Sequence, residues 1–384
     1  MPENIKPIQP IQKILFGSPG TGKSYQIREI ARDKLGIPFD DTNRDTNRTV
    51  KTVFHPEYTY ADFMGKLLPL TQGNSIIYKF YPGHFLRILG MAYQGLIKGN
   101  QDPEGNQDPE GHQDHYLLVI DELNRGNAAA IFGTVFQLLD REREGWSSYE
   151  VDISEMELVG LLEAMNQEPS IDNNGVIYVK DGTGKKPYKD FFKEKENENK
   201  EKGELYMPDK SKVFSLLEQR RIKIPPNLSI LATINTSDES IYYLDSAFKR
   251  RWDWQYVKAP VRGARIPEEL KNVKLKIKDD EEGAWSDYIL GINELIKSNH
   301  QVIRRIEDKQ IGWWFIKPED DIVDLEQVKD KLMFYLWDSV FARDKRPIEE
   351  FLSESDKAVK LTAYSDFLDL MQKFMRKVGE LGKK

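Results

Sequence analysis

The stretch that decides the fold is residues 14–24, Ile14-Leu15-Phe16-Gly17-Ser18-Pro19-Gly20-Thr21-Gly22-Lys23-Ser24. Ile14 to Phe16 reads as a short buried strand, Gly17 to Ser24 fits G-x-x-x-x-G-K-[ST], and a helical pattern follows from Tyr25 to Lys34. That is the strand–loop–helix setting in which this motif cradles phosphate. Glycines let the backbone wrap around an anion, and successive amides with the helix N-terminus point positive dipole at it. The pattern predicts a nucleoside triphosphate site lined by Gly17, Ser18, Pro19, Gly20, Thr21, Gly22 and Tyr25. Lys23 would reach the β- and γ-phosphates and the Ser24 hydroxyl would ligate Mg2+.

Outward from this loop, composition limits what the chain does. At 384 residues it has room for two domains, or one α/β domain with a lid. With 39% hydrophobic and 31% charged residues it reads as a globular protein with a polar surface. A net charge of −7 argues against a surface that grips nucleic acid all over, leaving room for a local basic channel. No cysteine is present, which excludes thiol catalysis, disulfides and Cys-ligated metal, and the five histidines form no H-E-x-x-H. No apolar stretch has signal-peptide or membrane length, so the expected location is the cytoplasm, with no membrane partner. Only about a dozen residues precede the first strand, and the expectation is that no recognition domain lies upstream.

Along the chain, Thr49 to His55 reads as a second strand. Phe54-His-Pro-Glu-Tyr-Thr-Tyr-Ala-Asp-Phe63 crowds aromatics around a proline; the simplest reading packs them onto the sheet, the alternative being a subunit contact or a nucleotide-base contact. A helix is expected from Gly83. The tandem Asn100-Gln-Asp-Pro-Glu-Gly and Asn106-Gln-Asp-Pro-Glu-Gly then mark a flexible surface loop at about 99–115. Tyr116 to Glu122 is a buried parallel strand ending in two carboxylates, followed by a helix from about Ala128 to Arg143. Residues 145–215 look like an insertion with a short strand (Tyr149 to Ile153), a helix (Glu155 to Met165), a hairpin through Gly175 and a solvated charged loop (Lys193 to Glu204). Pro226 to Asn235 is another buried strand, Ser240 to Arg251 a helix, and Trp252 to Val257 a further strand. The expected division is an α/β nucleotide-binding domain over 1–259 and a mostly helical lid over 260–384, with Ile-Gly-Trp-Trp-Phe-Ile (311–316) as an apolar island.

Asp121 and Glu122 narrow the chemistry. Ligands of parallel sheets bind at the carboxyl ends of strands, where the first strand's phosphate loop also sits. Asp121 is placed to hold Mg2+ through water, and Glu122 to orient and polarise an attacking water. The pair indicates hydrolysis. Asn235 is the natural partner of the γ-phosphate or that water. Arg250 and Arg251 end a helix; they either cap it, or one or both reach a neighbouring subunit's nucleotide as an arginine finger. The second reading predicts a ring.

Together, Asp121-Glu-Leu-Asn-Arg-Gly-Asn127, Asn235-Thr-Ser-Asp-Glu-Ser240, Leu244-Asp-Ser-Ala-Phe-Lys-Arg-Arg251 and the Phe54–Phe63 stretch resemble the McrB family of AAA+ motor proteins. The family shows D-E-I-N-R-x-N, M-N-T-A-D-R-S, paired arginines and F-H-P-x-Y-x-Y-x-D-F in the same order. The likeness runs from about 12 to 316, excluding 100–114 and 145–215. It implies an AAA+ core with a helical lid, hexameric rings, GTP as the preferred fuel, DNA engaged through the complex, and a McrC-like partner that stimulates hydrolysis and carries or recruits a nuclease; the residues themselves do not decide between ATP and GTP. By position, Lys23, Ser24, Asp121, Glu122, Asn235 and an arginine of the 250–251 pair inherit catalytic-site roles. Asn124, Arg125 and Asn127 match the segment after the carboxylates, where Arg125 would face the neighbouring site. Two departures stand out: Glu239 replaces the family's arginine, and Ile311-Gly-Trp-Trp-Phe replaces I-G-H-S-Y-F. Competing readings of the same nucleotide site are a protein-remodelling AAA+ chaperone and a nucleotide-gated scaffold.

Overall fold

Five strands build the central sheet: β1 (Gln12–Gly17), β2 (Thr49–Val53), β3 (Tyr116–Asp121), β4 (Leu228–Asn235) and β5 (Asp253–Tyr256), in the order β5-β1-β4-β3-β2. The computed structural model describes residues 9–38, 48–73, 75–99, 114–201, 207–236, 242–278, 281–354 and 358–383. Strands β3 and β4 pair in parallel, Leu117 opposite Ser229, and β2 runs parallel to β3, Val50 opposite Leu118. Ile230 N–H donates to Ile11 O at one end of β1 and Thr236 N–H to Gly17 O at the other, so β1 and β4 also run parallel. Strands covered on both faces need apolar side chains throughout. Leu117 to Ile120 and Leu228 to Ile234 are accordingly buried along their lengths. With these strands parallel, β1, β3 and β4 end on one edge of the sheet, the edge from which functional loops emerge in α/β folds. The α/β class expected from the sequence is the one observed.

Contacts divide the chain into two compact units. The first comprises residues 1–14, 26–234 and 240–254, and the second Leu15–Tyr25, Asn235–Glu239 and Gln255–Lys384. The phosphate loop therefore clusters with the C-terminal part of the chain.

In the first unit the Phe54–Phe63 aromatics pack inward. Phe54 stacks on Tyr58 with centroids 4.8 Å apart and meets Phe63 edge-on at 6.1 Å, and both phenylalanines are fully buried. Rings in these geometries stabilise beyond their area alone. Three expectations are corrected. The helix expected over Ala128 to Arg143 is a turn of α-helix (Ala128–Phe132) and a 3-10 segment (Gly133–Leu139). It breaks where Gly133 takes φ 48° under the Tyr60 ring. The charged run from Lys193 is, as far as Glu201, not a loop but part of the helix Tyr188–Glu201, and its remainder lies outside the described residues. Buried Phe192 and Asn199 anchor it, and Lys195–Glu198 and Lys200–Glu196 pairs lie at helical spacing on its surface. The helix expected over Ser240 to Arg251 is, among the described residues, the single turn Ser246–Lys249 capped by Asp245. An antiparallel hairpin, Gly65–Gln72 with Ser75–Pro82, was not evident from pattern, because both of its faces are largely exposed and no alternation marks it. The expected 99–115 loop lies mainly outside the described residues.

The second unit is helical with a small sheet that the sequence pattern did not suggest, made of Lys274–Lys278, Glu281–Ala284 and Ile322–Val323. Its core joins Trp285, Ile289 and Ile292 of the helix Trp285–Ser298 to Phe374, Met375 and Val378 of Met371–Lys383. Each such buried side chain contributes about 1.5–3 kcal/mol. Among the described residues no helix is long and apolar enough to cross a membrane.

Candidate nucleotide site

The phosphate loop is built from main-chain geometry. Lys23 is only 7% exposed, and its Nζ donates to the carbonyls of Gly17 and Ser18, each at 2.9 Å. Thr21 Oγ1 donates to Ser18 O at 2.9 Å and closes the loop on itself. Ser18 is fully buried, and its hydroxyl has no hydrogen-bond partner among the described residues. A buried hydroxyl costs stability unless something satisfies it, so this orphan fits a loop shaped around an anion. Ser24 and Tyr25 are exposed in the first turn of the helix Lys23–Leu35. Thr236, the residue after Asn235, donates its N–H to Gly17 O at 3.3 Å, which ties the end of β4 to the start of the loop.

The same unit lays the 311–316 segment along the loop. Gly312 N–H donates to Pro19 O at 2.9 Å and Trp314 N–H to Gly20 O at 2.8 Å. The approach is close because both partners lack a side chain. Gly20 sits at φ 71°, where a β-carbon would lie 2.4 Å from Phe315 N; one on Gly312 would lie 2.1 Å from the carbonyl of Gly20. Buried Asn293 fixes this segment from behind: its side chain accepts from Ile311 N–H and donates to Ile311 O, both at 2.8 Å, and donates to Pro260 O at 3.0 Å. A cavity of about 270 Å³ beside Thr236 is lined by Arg304, Arg305, Lys309 and Arg343, with Asp308 and Asp344.

In the first unit, the carboxylates are set by side chains. Thr233 Oγ1 donates to Asp121 Oδ1 at 3.0 Å and receives the Glu122 N–H at 3.2 Å, so one hydroxyl on β4 orients both acidic residues. Glu122 occupies the left-handed region at φ 56°, an uncommon conformation for a residue with a side chain, often found where function requires it. Asn124 is buried, with its carbonyl accepting from Tyr242 N–H, and Arg125 is exposed. Asn127 caps the following helix through Ala130 N–H.

The two arginines separate. Arg251 donates to Asp140 Oδ2 from Nε at 3.0 Å and Nη2 at 2.7 Å, bonds Ala247 O, and lies 4.2 Å over the Phe136 ring. Its side chain is 9% exposed. Of the two roles left open for the pair, Arg251 takes the internal one: its guanidinium is committed inside its own unit, and its bond to Ala247 O caps the helix turn. Arg250 is exposed. Thr233, Asp140 and Asn293 were missed as supporting residues. A polar Asn on an apolar helix face was the available signal for Asn293, whereas nothing local marks Asp140 as a partner of Arg251. Glu239 lies outside the described residues.

No family model matches the chain. It is 28% identical over 370 residues to the Type II restriction enzyme BsuMI component YdiS of Bacillus subtilis, spanning 90% of this chain and 83% of that one. It is 29% identical over 136 residues to the Type IV methyl-directed restriction enzyme EcoKMcrB subunit of Escherichia coli, spanning 35% of this chain and 24% of that one. A solved protein from Cytophaga hutchinsonii aligns over 95% of this chain at 11% identity, but its TM-score of 0.24 carries no weight for the fold. The chain is thus similar to components of two restriction systems, one of them a McrB subunit, and its parallel sheet is of the α/β class.

Proposed function

We propose that the protein is a ring-forming AAA+ nucleoside triphosphatase acting as the motor of a McrBC-like restriction and anti-phage defence system. The observation that carries this reading is the pair of acidic residues at the end of β3, held by one Thr233 hydroxyl, in a chain whose first strand runs into a phosphate loop. Lys23 and the loop amides bind the triphosphate. Glu122 orients and polarises the attacking water, with Asn235 assisting. The donor set of Ser24 and Asp121, a hydroxyl and a carboxylate, fits Mg2+, which takes few protein oxygens and keeps water and phosphate oxygens as its other ligands. Bound there, the ion neutralises charge on the phosphate oxygens.

Arg250, exposed at the end of its helix turn, serves as the finger for a neighbour's nucleotide, with Arg125 facing that neighbouring site. The basic side chains around Thr236 supply the charge that Glu239 removes from the family's sensor segment. The fuel is GTP or ATP, the ring a hexamer, and a McrC-like partner stimulates turnover and couples it to movement on DNA. The insertion at 145–215 is the surface for that partner. The protein works in the cytoplasm. The test is hydrolysis of ATP and GTP side by side, with and without the product of the neighbouring gene. Partner-stimulated turnover that disappears in Glu122→Gln is expected; turnover stimulated instead by unfolded protein substrates would overturn the restriction-motor reading.

A further inference from the structure

Both indoles of the 311–316 segment meet the core of their unit, Trp313 as a buried member and Trp314 packed against it, and they differ in what else they reach. Trp313 is 8% exposed and belongs to the apolar core of its unit. Trp314 is half-buried and lies on the phosphate loop: a β-carbon at Gly22 would sit 3.5 Å from its Cδ1 and 3.6 Å from its Nε1. Its main chain is fixed there by the Trp314 N–H bond to Gly20 O, and the segment is clamped by Asn293 on Ile311.

The loop divides its peptide groups between two tasks. A trans peptide points its C=O and N–H in opposite directions. The Pro19 and Gly20 carbonyls face the 312–314 segment, so the Gly20 and Thr21 amides in the same peptide units point the other way, as a phosphate cradle requires. A triphosphate seated in that cradle must carry its ribose and base out over the rim of the loop. At Gly22, immediately before Lys23, the Trp314 indole lies within van der Waals range of where a β-carbon would stand; Tyr25, 41% exposed, stands just past Ser24 in the first turn of the helix.

We propose that Trp314 contacts the substrate nucleoside, its indole packing on the ribose and purine of a nucleoside triphosphate whose phosphates sit in the Gly17–Ser24 loop. The proposal rests on the nucleotide-binding reading of that loop. A flat apolar surface stacks on either purine without reading its edge. Trp314 therefore contributes affinity for the nucleoside and no preference between adenine and guanine.

The test is a set of titrations of the full chain with Mg2+ and ATP, GTP or inorganic tripolyphosphate, by calorimetry and tryptophan emission. Trp314→Ala should weaken ATP and GTP alike by roughly tenfold and leave tripolyphosphate within about twofold. Trp314→Phe should restore most of the loss, and the emission change on ATP binding should vanish in Trp314→Phe. An equal loss for tripolyphosphate would overturn the proposal, because the indole would then be propping the loop. Unchanged nucleotide affinity in Trp314→Ala would overturn it too. If Trp314→Ala does not fold, the emission of Trp314→Phe decides: a retained ATP-dependent change overturns the proposal. Lys23→Ala separates the two levels. Wild-type affinity for nucleotide and tripolyphosphate in that variant would mean the loop reading itself has failed, whereas lost binding there with no Trp314 effect would sink this inference alone.

Discussion

The phosphate loop and the carboxylate end of β3 are built by opposite means. The loop owes its shape to backbone: glycines without side chains, carbonyls that hold Lys23, and peptide groups shared with Gly312 and Trp314. The carboxylates owe theirs to one side chain, the Thr233 hydroxyl between Asp121 and Glu122. The first arrangement tolerates almost no added atom and the second almost no lost polar group. Their responses to substitution should differ accordingly.

Glu122→Gln should produce the largest change, a fall in hydrolysis of about 10²–10⁴ with nucleotide binding retained. Loss of binding along with turnover would make Glu122 a structural residue and break the contrast. Next, Gly312→Ala should cost about 3 kcal/mol or more, because the new methyl group meets the Gly20 carbonyl at 2.1 Å. Thermal unfolding and nucleotide affinity should fall together; an unshifted melting temperature would show that the segment lifts off the loop without cost.

The arginine pair sharpens the contrast from another side. Arg251→Ala should destabilise the fold by about 2 kcal/mol through loss of the charged hydrogen bonds to Asp140. Arg250→Ala should leave the melting temperature in place and lower hydrolysis only under conditions where subunits associate. Swapped phenotypes would reverse the assignment made from burial.

The smallest effect expected is on acid stability. Burial, with the Arg48 charge adding to it, pushes the His115 pKa down to about 4, against the opposing pull of Asp114. The unfolded chain then binds a proton near pH 6.5 that the folded chain refuses until about pH 4. Stability contributed by this site is complete above the unfolded value and declines as pH falls between the two. Replacing His115 with Gln should flatten that part of a stability–pH curve; an unchanged slope would show that His115 is accessible in the folded state.

Much of the candidate site was legible because its residues are consecutive. Gly17 to Ser24 and Asp121-Glu122 each follow an apolar run, and the period of burial in a parallel strand needs no partner to be recognised. Packing was the simpler reading of the Phe54–Phe63 aromatics, and the burial of Phe54 and Phe63 agrees with it. Which of its two open roles Arg251 takes was not legible, because its partner, Asp140, lies far along the chain, and an arginine at a helix end carries the same local pattern whether it turns in or out. The Lys193–Glu201 part of the charged run was misread because charge alone resembles a loop, while two buried residues, Phe192 and Asn199, were enough to pin a helix; the rest of the run lies outside the described residues.

The sequence by itself determined the strand–loop–helix element, the carboxylate-ended strand and their order, because strand periodicity, glycine freedom and the donor chemistry of Lys23 are local properties. Only the tertiary structure decided that Arg251 is internal, that Thr233 orients the acids, and that Trp314 rests on the loop while Trp313 is core. Those outcomes depend on which side chains distant in sequence come within hydrogen-bond or van der Waals range, and no local pattern carries that distance.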